Sequence, residues 1–255
     1  MNTTKYLCRI GYHSEIKATK EVLFLLQQKH LLSIPFENLD IHYGTKIELD
    51  LQNIFKKVII NKRGGFCYEL NSIFNELLKA IGFKTFLISA RVCVENDIYG
   101  QEFDHMAIIV KLENKSYLVD VGFGKFSFEP LEILLDFFQV DKYGTFVIEK
   151  HNEDYYRVNK IENSKKTPEY IFKIKERKLT EFTEMCNYHQ SSQESNFTKN
   201  KVISLAKPNG RITLKNTMYK ITEYDKTETV EFEATQFESY LKKFFNIQIK
   251  EANNR

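Results

Sequence analysis

The 255 residues contain no tryptophan and no run of 18 apolar residues, and the second absence leaves no segment able to span a membrane as a helix. The opening stretch from Met1 to Arg9 lacks the apolar core of a secretory leader, so the chain reads as cytoplasmic. The four cysteines, Cys8, Cys67, Cys93 and Cys186, form no Cys-x-x-Cys pair, which speaks against a disulfide framework and against a zinc ribbon. His13, His30, His42, His151 and His189 make no His-x-x-His or Glu-x-x-His pattern, so no metal is expected. A net charge of +3 is too slight to argue for a nucleic-acid partner. Repeats and low-complexity linkers are missing as well. What remains is a globular composition, 42% apolar and 28% charged, with 21 Phe and 14 Tyr as material for a core or an aromatic pocket.

The first eighty residues carry helical periodicity. Glu15 to Leu32, Leu49 to Ile60 and Leu70 to Ile81 each place apolar residues three and four apart, and the last of these ends at Gly82. Beyond Gly82 the period becomes two. Strands are expected over Lys84 to Val94, His105 to Leu112, Ser116 to Phe123, Phe146 to Ile148, Tyr155 to Val158 and Ile171 to Lys175. Tight turns between them favour an antiparallel sheet or barrel. The charged stretch Asn159 to Glu169 reads as a solvated loop. Four further strands, Val202 to Leu205, Ile212 to Leu214, Tyr219 to Thr222 and Thr229 to Phe232, precede a helix over Phe237 to Phe245 with a Thr235/Glu238 capping box.

Chemistry concentrates around Arg63-Gly64-Gly65-Phe66-Cys67. A double glycine allows a tight backbone turn, and a cysteine opening the next helix meets free N–H groups and the positive end of the helix dipole. That setting is expected to lower the thiol pKa and to supply oxyanion donors. A small buried hydrophobe is the plainer role for such a thiol. A nucleophilic cysteine needs a base. On the hairpin of His105 to Leu112 and Ser116 to Phe123, burying both apolar rows on one side requires paired residue numbers with an odd sum. That parity puts His105 and Asp120 together on the opposite face. An imidazole oriented by a carboxylate beside a helix-start cysteine makes a Cys67-His105-Asp120 triad.

With these residues in place the sequence resembles the arylamine N-acetyltransferases over nearly its whole length. The motifs are Arg9-Ile10-Gly11-Tyr12, Ile34-Pro35-Phe36-Glu37-Asn38-Leu39, Arg63 to Cys67, His105, Val119-Asp120-Val121-Gly122-Phe123-Gly124, Pro130-Leu131, Asn196-Phe197 and Gly210 to Leu214. The resemblance implies an α+β fold in three parts. These are an N-terminal helical bundle with the nucleophile (1–82), a central antiparallel β-barrel with the His and Asp (83–195), and a C-terminal α/β lid (196–255), around a cysteine-protease-like catalytic core. It implies transfer of an acetyl group from acetyl-CoA, as co-substrate, to an arylamine, arylhydrazine or arylhydroxylamine by a ping-pong cycle through a Cys67 thioester. Phe36, Phe66 and Phe123 would wall the aryl site, and Gly124, Thr198 and Lys199 would border the CoA channel. A Cys-His-Asp hydrolase of papain or transglutaminase type, an acyltransferase with another acyl-CoA or acceptor, and a non-catalytic module on the same fold are the alternatives.

Overall fold

The computed structural model describes residues 1–95, 97–124, 126–224 and 226–249; the expected lid range 196–255 therefore includes seven positions, 225 and 250–255, that lie outside the described residues. The chain opens with helices α1 (Thr3–Arg9) and α2 (Lys20–Ser33), a two-residue strand β1 (Phe36–Glu37), α3 (Leu39–His42), α4 (Leu51–Phe55) running on as a π-helical turn over Lys56–Ile60, and α5 (Cys67–Ile81). Helix α2 begins later than the apolar period suggests because the Thr19 hydroxyl accepts from the Val22 N–H and caps it there. At the start of α5 the Glu69 carboxylate accepts from the Phe66 N–H at 3.2 Å, and Gly82 ends the helix at φ +107°. Its apolar stripe, Leu70, Ile73, Phe74, Leu77 and Leu78, is at most 1% exposed. Each such side chain contributes about 1.5–3 kcal/mol by leaving water, which fixes α5 against the sheet beneath it.

That sheet is antiparallel and nearly closed into a barrel. Its strands are β2 (Lys84–Glu95), β3 (Ile98–Tyr99), β4 (His105–Leu112), β5 (Lys115–Val119), β6 (Leu131–Glu132), β7 (Phe138–Asp141), β8 (Gly144–Lys150), β9 (Tyr156–Glu162) and β10 (Lys165–Phe172). They run in the order β6-β5-β4-β2-β10-β9-β8-β7, with β3 beside β2. Between the outer strands β6 and β7 the Gln139 side chain acts as a ladder residue would. Its amide donates to the Glu132 carbonyl at 2.9 Å and accepts from the Glu132 N–H at 2.7 Å. The segment expected to be a solvated loop, Asn159 to Glu169, is instead most of the β9–β10 hairpin. Asn163 and Ser164 both take positive φ, as a two-residue primed turn requires.

The remaining chain forms a 3-10 turn (Leu179–Phe182), α6 (Thr183–Ser191), α7 (Asn196–Lys199), strands β11 (Val202–Lys207), β12 (Gly210–Lys215), β13 (Met218–Glu223) and β14 (Lys226–Glu231), and α8 (Phe237–Phe245). No Thr235/Glu238 box starts α8: a 3-10 turn occupies Ala234–Gln236, and the Gln236 side chain accepts from the Glu233 N–H. The second sheet has the order β1-β11-β12-β13-β14, so Phe36–Glu37 from the helical region pairs with Ser204 and Ile203. Leu39 joins Ile203, Leu214, Phe237 and Leu241 in the core under that sheet. Both faces of β4 are buried. Met106, Ile108 and Val110 pack with the α5 stripe, whereas Ala107 and Ile109 face the barrel interior with Phe126, Phe146 and Val158. Among the described residues no helix is long and apolar enough to cross a membrane.

Candidate active site

The β4–β5 ladder pairs Ile108 with Val119 and Ile109 with Leu118, through a turn at Glu113 and Asn114 that both hold positive φ. This odd-sum register carries His105 and Asp120 to the barrel-interior face. Strand β5 ends at Val119, three residues earlier than Gly122 and short of the expected Phe123, because Asp120 leaves the ladder and its Oδ1 accepts from the Gly122 N–H at 2.9 Å. Asp120 Oδ2 lies 2.6 Å from His105 Nε2, with both side chains at most 3% exposed. Two further donors aim at the carboxylate: Asn71 Nδ2 at 3.0 Å and the Tyr170 hydroxyl at 3.2 Å. Four donors thus converge on the two carboxylate oxygens, and with Oδ2 accepting from Nε2–H the imidazole keeps a lone pair on Nδ1.

Cys67 is the first residue of α5 and opens, with His105, into a cavity of about 580 Å³. Asn71, one turn along the same helix, ties it to the barrel by donating to the Met106 carbonyl at 2.6 Å and accepting from the Val121 N–H at 3.0 Å. Gly122 permits the approach: a Cβ there would stand 2.6 Å from the Cys67 Cα and 2.7 Å from Asn71 Nδ2. The expected lowering of the Cys67 thiol by its helix start is not what the surroundings impose. Burial pushes the thiol well above its ordinary range, a backbone hydrogen bond from Met106 pulls the other way, and the nearby Asp120 and Asp104 charges push it further up. Desolvation dominates here because Cys67, at 3% exposure, is buried, and burial disfavours the charged thiolate.

Behind the nucleophile turn sits a buried ionic cluster. Arg63 reaches Glu37 at 2.7 Å and Asp40 at 2.8 Å, while Lys57 reaches Asp40 and Glu69, each at 2.8 Å. Burial works against the Lys57 charge, but Glu37, Glu69 and Asp40 outweigh it and hold the ammonium well above its usual value. Since Glu69 also caps α5 at Phe66, the cluster fixes the helix start on which Cys67 stands.

Of the expected aryl-site residues, Phe36 and Phe123 line the cavity, and the Phe123 ring centroid is 5.0 Å from that of His105. Phe66 does not: it is fully buried, edge-on to Tyr68 and to Phe197, because its backbone turn points the ring back into the helical core. Gly124 lines the cavity, but Thr198 and Lys199 do not. The Thr198 hydroxyl donates to the Ser192 and Ser195 carbonyls, and Lys199 Nζ lies 4.0 Å from Glu194. The wall is built from Glu194 to Phe197 instead, together with Met185, Tyr188 and His189. His189, in α6, is 5% exposed, with Nε2 at 3.3 Å from Asp104 Oδ1. Asn71 was discoverable four residues after Cys67 on one helix face. Tyr170 was not, since its inward aim follows a register shift between Pro168 and Tyr170. Among the described residues no group of three His, Cys, Asp or Glu is placed to hold a metal ion.

Cys67 and His105 open into one cavity, with Asp120 bonded to His105 behind it, and comparison with known proteins gives the class of protein that carries them. A family model described as N-acetyltransferase matches residues 19–254. The arylamine N-acetyltransferase, pineal gland isozyme NAT-3, of Gallus gallus is 32% identical, covering 98% of this chain and 95% of that protein. Arylamine N-acetyltransferase 1 of Homo sapiens is 30% identical with the same coverage. The solved arylamine N-acetyltransferase of Mycobacterium abscessus superimposes with a TM-score of 0.90 at 22% identity, over 98% of this chain and 91% of that one. The Mycobacterium marinum enzyme, solved in complex with CoA, gives 0.87 at 24% identity over 96% and 93%. The chain belongs to the arylamine N-acetyltransferase family, and it is an acyltransferase enzyme of the kind that moves acetyl groups to arylamines.

Proposed function

We propose that this protein transfers an acetyl group from acetyl-CoA to the nitrogen of arylamines, arylhydrazines or arylhydroxylamines through a thioester on Cys67. The observation that carries this reading is the 2.6 Å His105–Asp120 contact beside a helix-start cysteine in one cavity. Asp120 holds Nε2–H, so Nδ1 takes the Cys67 proton as the sulfur attacks the acetyl carbon. The C–S bond to CoA then breaks, and the departing CoA sulfur receives that proton from Nδ1. Because burial disfavours an isolated thiolate at Cys67, sulfur and imidazole exchange the proton as a pair rather than as independent groups. Helix-start N–H groups at Cys67 and Tyr68, which have no acceptor within the helix, are suited to the oxyanion.

In the second half the amine nitrogen attacks the thioester carbon, its proton passes to Nδ1, and the Cys67 sulfur leaves and is reprotonated. Phe36, Phe123 and Phe197 offer rings against which a flat, neutral aryl acceptor stacks, whereas an alkylammonium would have to shed both water and a proton. Acetyl-CoA as donor is supported by family membership and by the CoA complex of the M. marinum relative. Incubation with acetyl-CoA and no acceptor should add one acetyl unit to the peptide containing Cys67. Label on Cys8, Cys93 or Cys186 in its place would overturn the assignment. The second discriminating measurement is kcat/KM for an aryl hydrazine against a primary alkylamine. Equal use of both would remove the aryl pocket from the proposal.

A further inference from the structure

A second cavity, of about 610 Å³, lies where the β7–β8 turn and β9 of the barrel face the β12–β13 edge of the C-terminal sheet. Its charged lining is Lys142, Lys160 and Arg211, with Glu162 as the one carboxylate among the described residues that line it. Lys160 Nζ is 2.7 Å from Glu162, so that pair is internally neutral and the cavity keeps the charges of Lys142 and Arg211. Arg211 is half-buried, and Nη1 donates to the Ser204 hydroxyl at 3.0 Å while the guanidinium lies 6.0 Å from the Tyr143 ring centroid. No carboxylate among the described residues forms an ion pair with it. Burial consequently lowers its pKa from the ordinary value, with only Tyr143 opposing.

The backbone around the cavity is shaped to leave these groups room. Gly144 has φ +144°, and a Cβ there would meet Lys160 Cε at 2.9 Å, so the glycine makes space for the inward lysine beside the Phe146 ring. At Gly210 a Cβ would fall 1.8 Å from the Thr222 carbonyl oxygen, so only glycine lets β12 approach β13 immediately before Arg211. The Tyr143 hydroxyl donates to the Lys207 and Gly210 carbonyls, which locks the turn beside Arg211 to the barrel. A half-buried guanidinium with no carboxylate paired to it among the described residues, on a fixed turn in one cavity with the exposed Lys142, whose Nζ lies 5.3 Å from the Phe128 ring centroid, suits an anionic partner.

We infer that this cavity binds a phosphate-bearing anion, held by Arg211 and Lys142. Guanidinium geometry suits two phosphate oxygens at once, and Lys142 adds a point charge from the opposite wall. The site is separate from the cavity of Cys67, and the inference stands or falls independently of the acetyl-transfer reading. The same chemistry has two sources: the phosphates of a CoA-type donor, or a free phosphorylated metabolite.

The test is calorimetric titration of the whole protein with 3′,5′-ADP and with pyrophosphate. Saturable binding is expected, weakened tenfold or more by Arg211→Gln and by the exposed substitution Lys142→Glu, since each removes a charge-assisted contact. Lys142→Glu, on an exposed turn residue, keeps the test valid if Arg211→Gln impairs folding. Parallel kinetics name the source. A KM raised for acetyl-CoA but unchanged for S-acetylpantetheine, which has no phosphate, assigns the pocket to the donor. Unchanged KM for both with weakened ADP binding assigns it to a free phosphorylated ligand. Absence of saturable binding of either probe, or binding indifferent to both substitutions, overturns the inference.

Discussion

Replacing Asp120 by Asn tests how the imidazole is held, because each carboxylate oxygen has its own donors. Oδ1 accepts from Asn71 and from the Gly122 N–H, and Oδ2 accepts from His105 Nε2 and the Tyr170 hydroxyl. An asparagine must turn its NH₂ toward one of these pairs. Facing Oδ1's partners it would oppose an amide NH₂ and a backbone N–H that has no other orientation. Facing His105 it needs only the imidazole to move its proton from Nε2 to Nδ1 and the tyrosine hydroxyl to rotate. The second arrangement costs less, and it leaves Nδ1–H pointing where a proton acceptor is required. Loss of general-base assistance is worth about 10²–10⁴-fold, or roughly 2.7–5.4 kcal/mol at 1.36 kcal/mol per tenfold. Iodoacetamide alkylation of Cys67 between pH 5 and 10 reads this directly. Wild type should react at neutral pH through the sulfur–imidazole pair, whereas Asp120→Asn should need pH above the ordinary thiol range of about 8.5, because burial has raised Cys67. His105→Gln should give the same displaced profile, and the double variant should be no worse than either single one. An Asp120→Asn profile that overlays the wild type would refute the orienting role.

Three other outcomes are expected. Gly122→Ala should cut kcat about 10²-fold by displacing the Cys67–Asn71 turn while the far-ultraviolet spectrum is kept, and full activity would show that α5 yields freely at its start. Lys57→Met should cost about 3–5 kcal/mol in urea unfolding, since buried Glu69 would lose its ammonium partner while Arg63 alone served Glu37 and Asp40, and a change under about 1 kcal/mol would mean that a carboxylate takes up a proton instead. Burial, with Arg9 adding to it, holds His30 down to about 3 against about 6.5 unfolded, so the unfolded chain binds an extra proton as pH falls through that interval. Stability should therefore decline from pH 6.5 downward by about 1.4 kcal/mol per pH unit, and His30→Gln, which can still bond Tyr6, should flatten the slope between pH 6.5 and 5; equal slopes would count against a neutral buried His30.

The helix that carries Cys67 and the shared face of His105 and Asp120 are legible from spacing alone, because both follow from strong periodicities with one buried side. What escaped is set by pairing rather than by pattern. Lys160 lies on the inner face of β9 with its chain against Phe146, so a strand position that looks solvated is inside the barrel. From this hairpin Lys166 and Arg157 reach Glu149 on β8, and such cross-strand charges disguise β9 and β10 as a loop. Phe36–Glu37 carries no strand signal in two residues; only the edge of β11 makes it one. Phe66 illustrates the converse, an aromatic motif residue whose ring goes to the core because its backbone must turn to start α5.

The threading of β1 has a consequence for the order in which this molecule is assembled. Cys67, His105 and Asp120 all emerge from the ribosome within the first half of the chain, yet Asn38 waits for Val202, 164 positions later, to donate its N–H to the asparagine side chain. The Glu37 N–H meanwhile donates to the Gly65 carbonyl, so β1 braces the turn that presents the thiol from one side and joins the last sheet on the other. Contacts of such long separation are slow to close, because the intervening chain must lose its freedom first. A nascent chain therefore holds its reactive groups without the aromatic wall from Glu194 to Phe197 that encloses them. That wall can form only after residues 194–197 have been made, and the β1 edge can be paired only after β11 follows them.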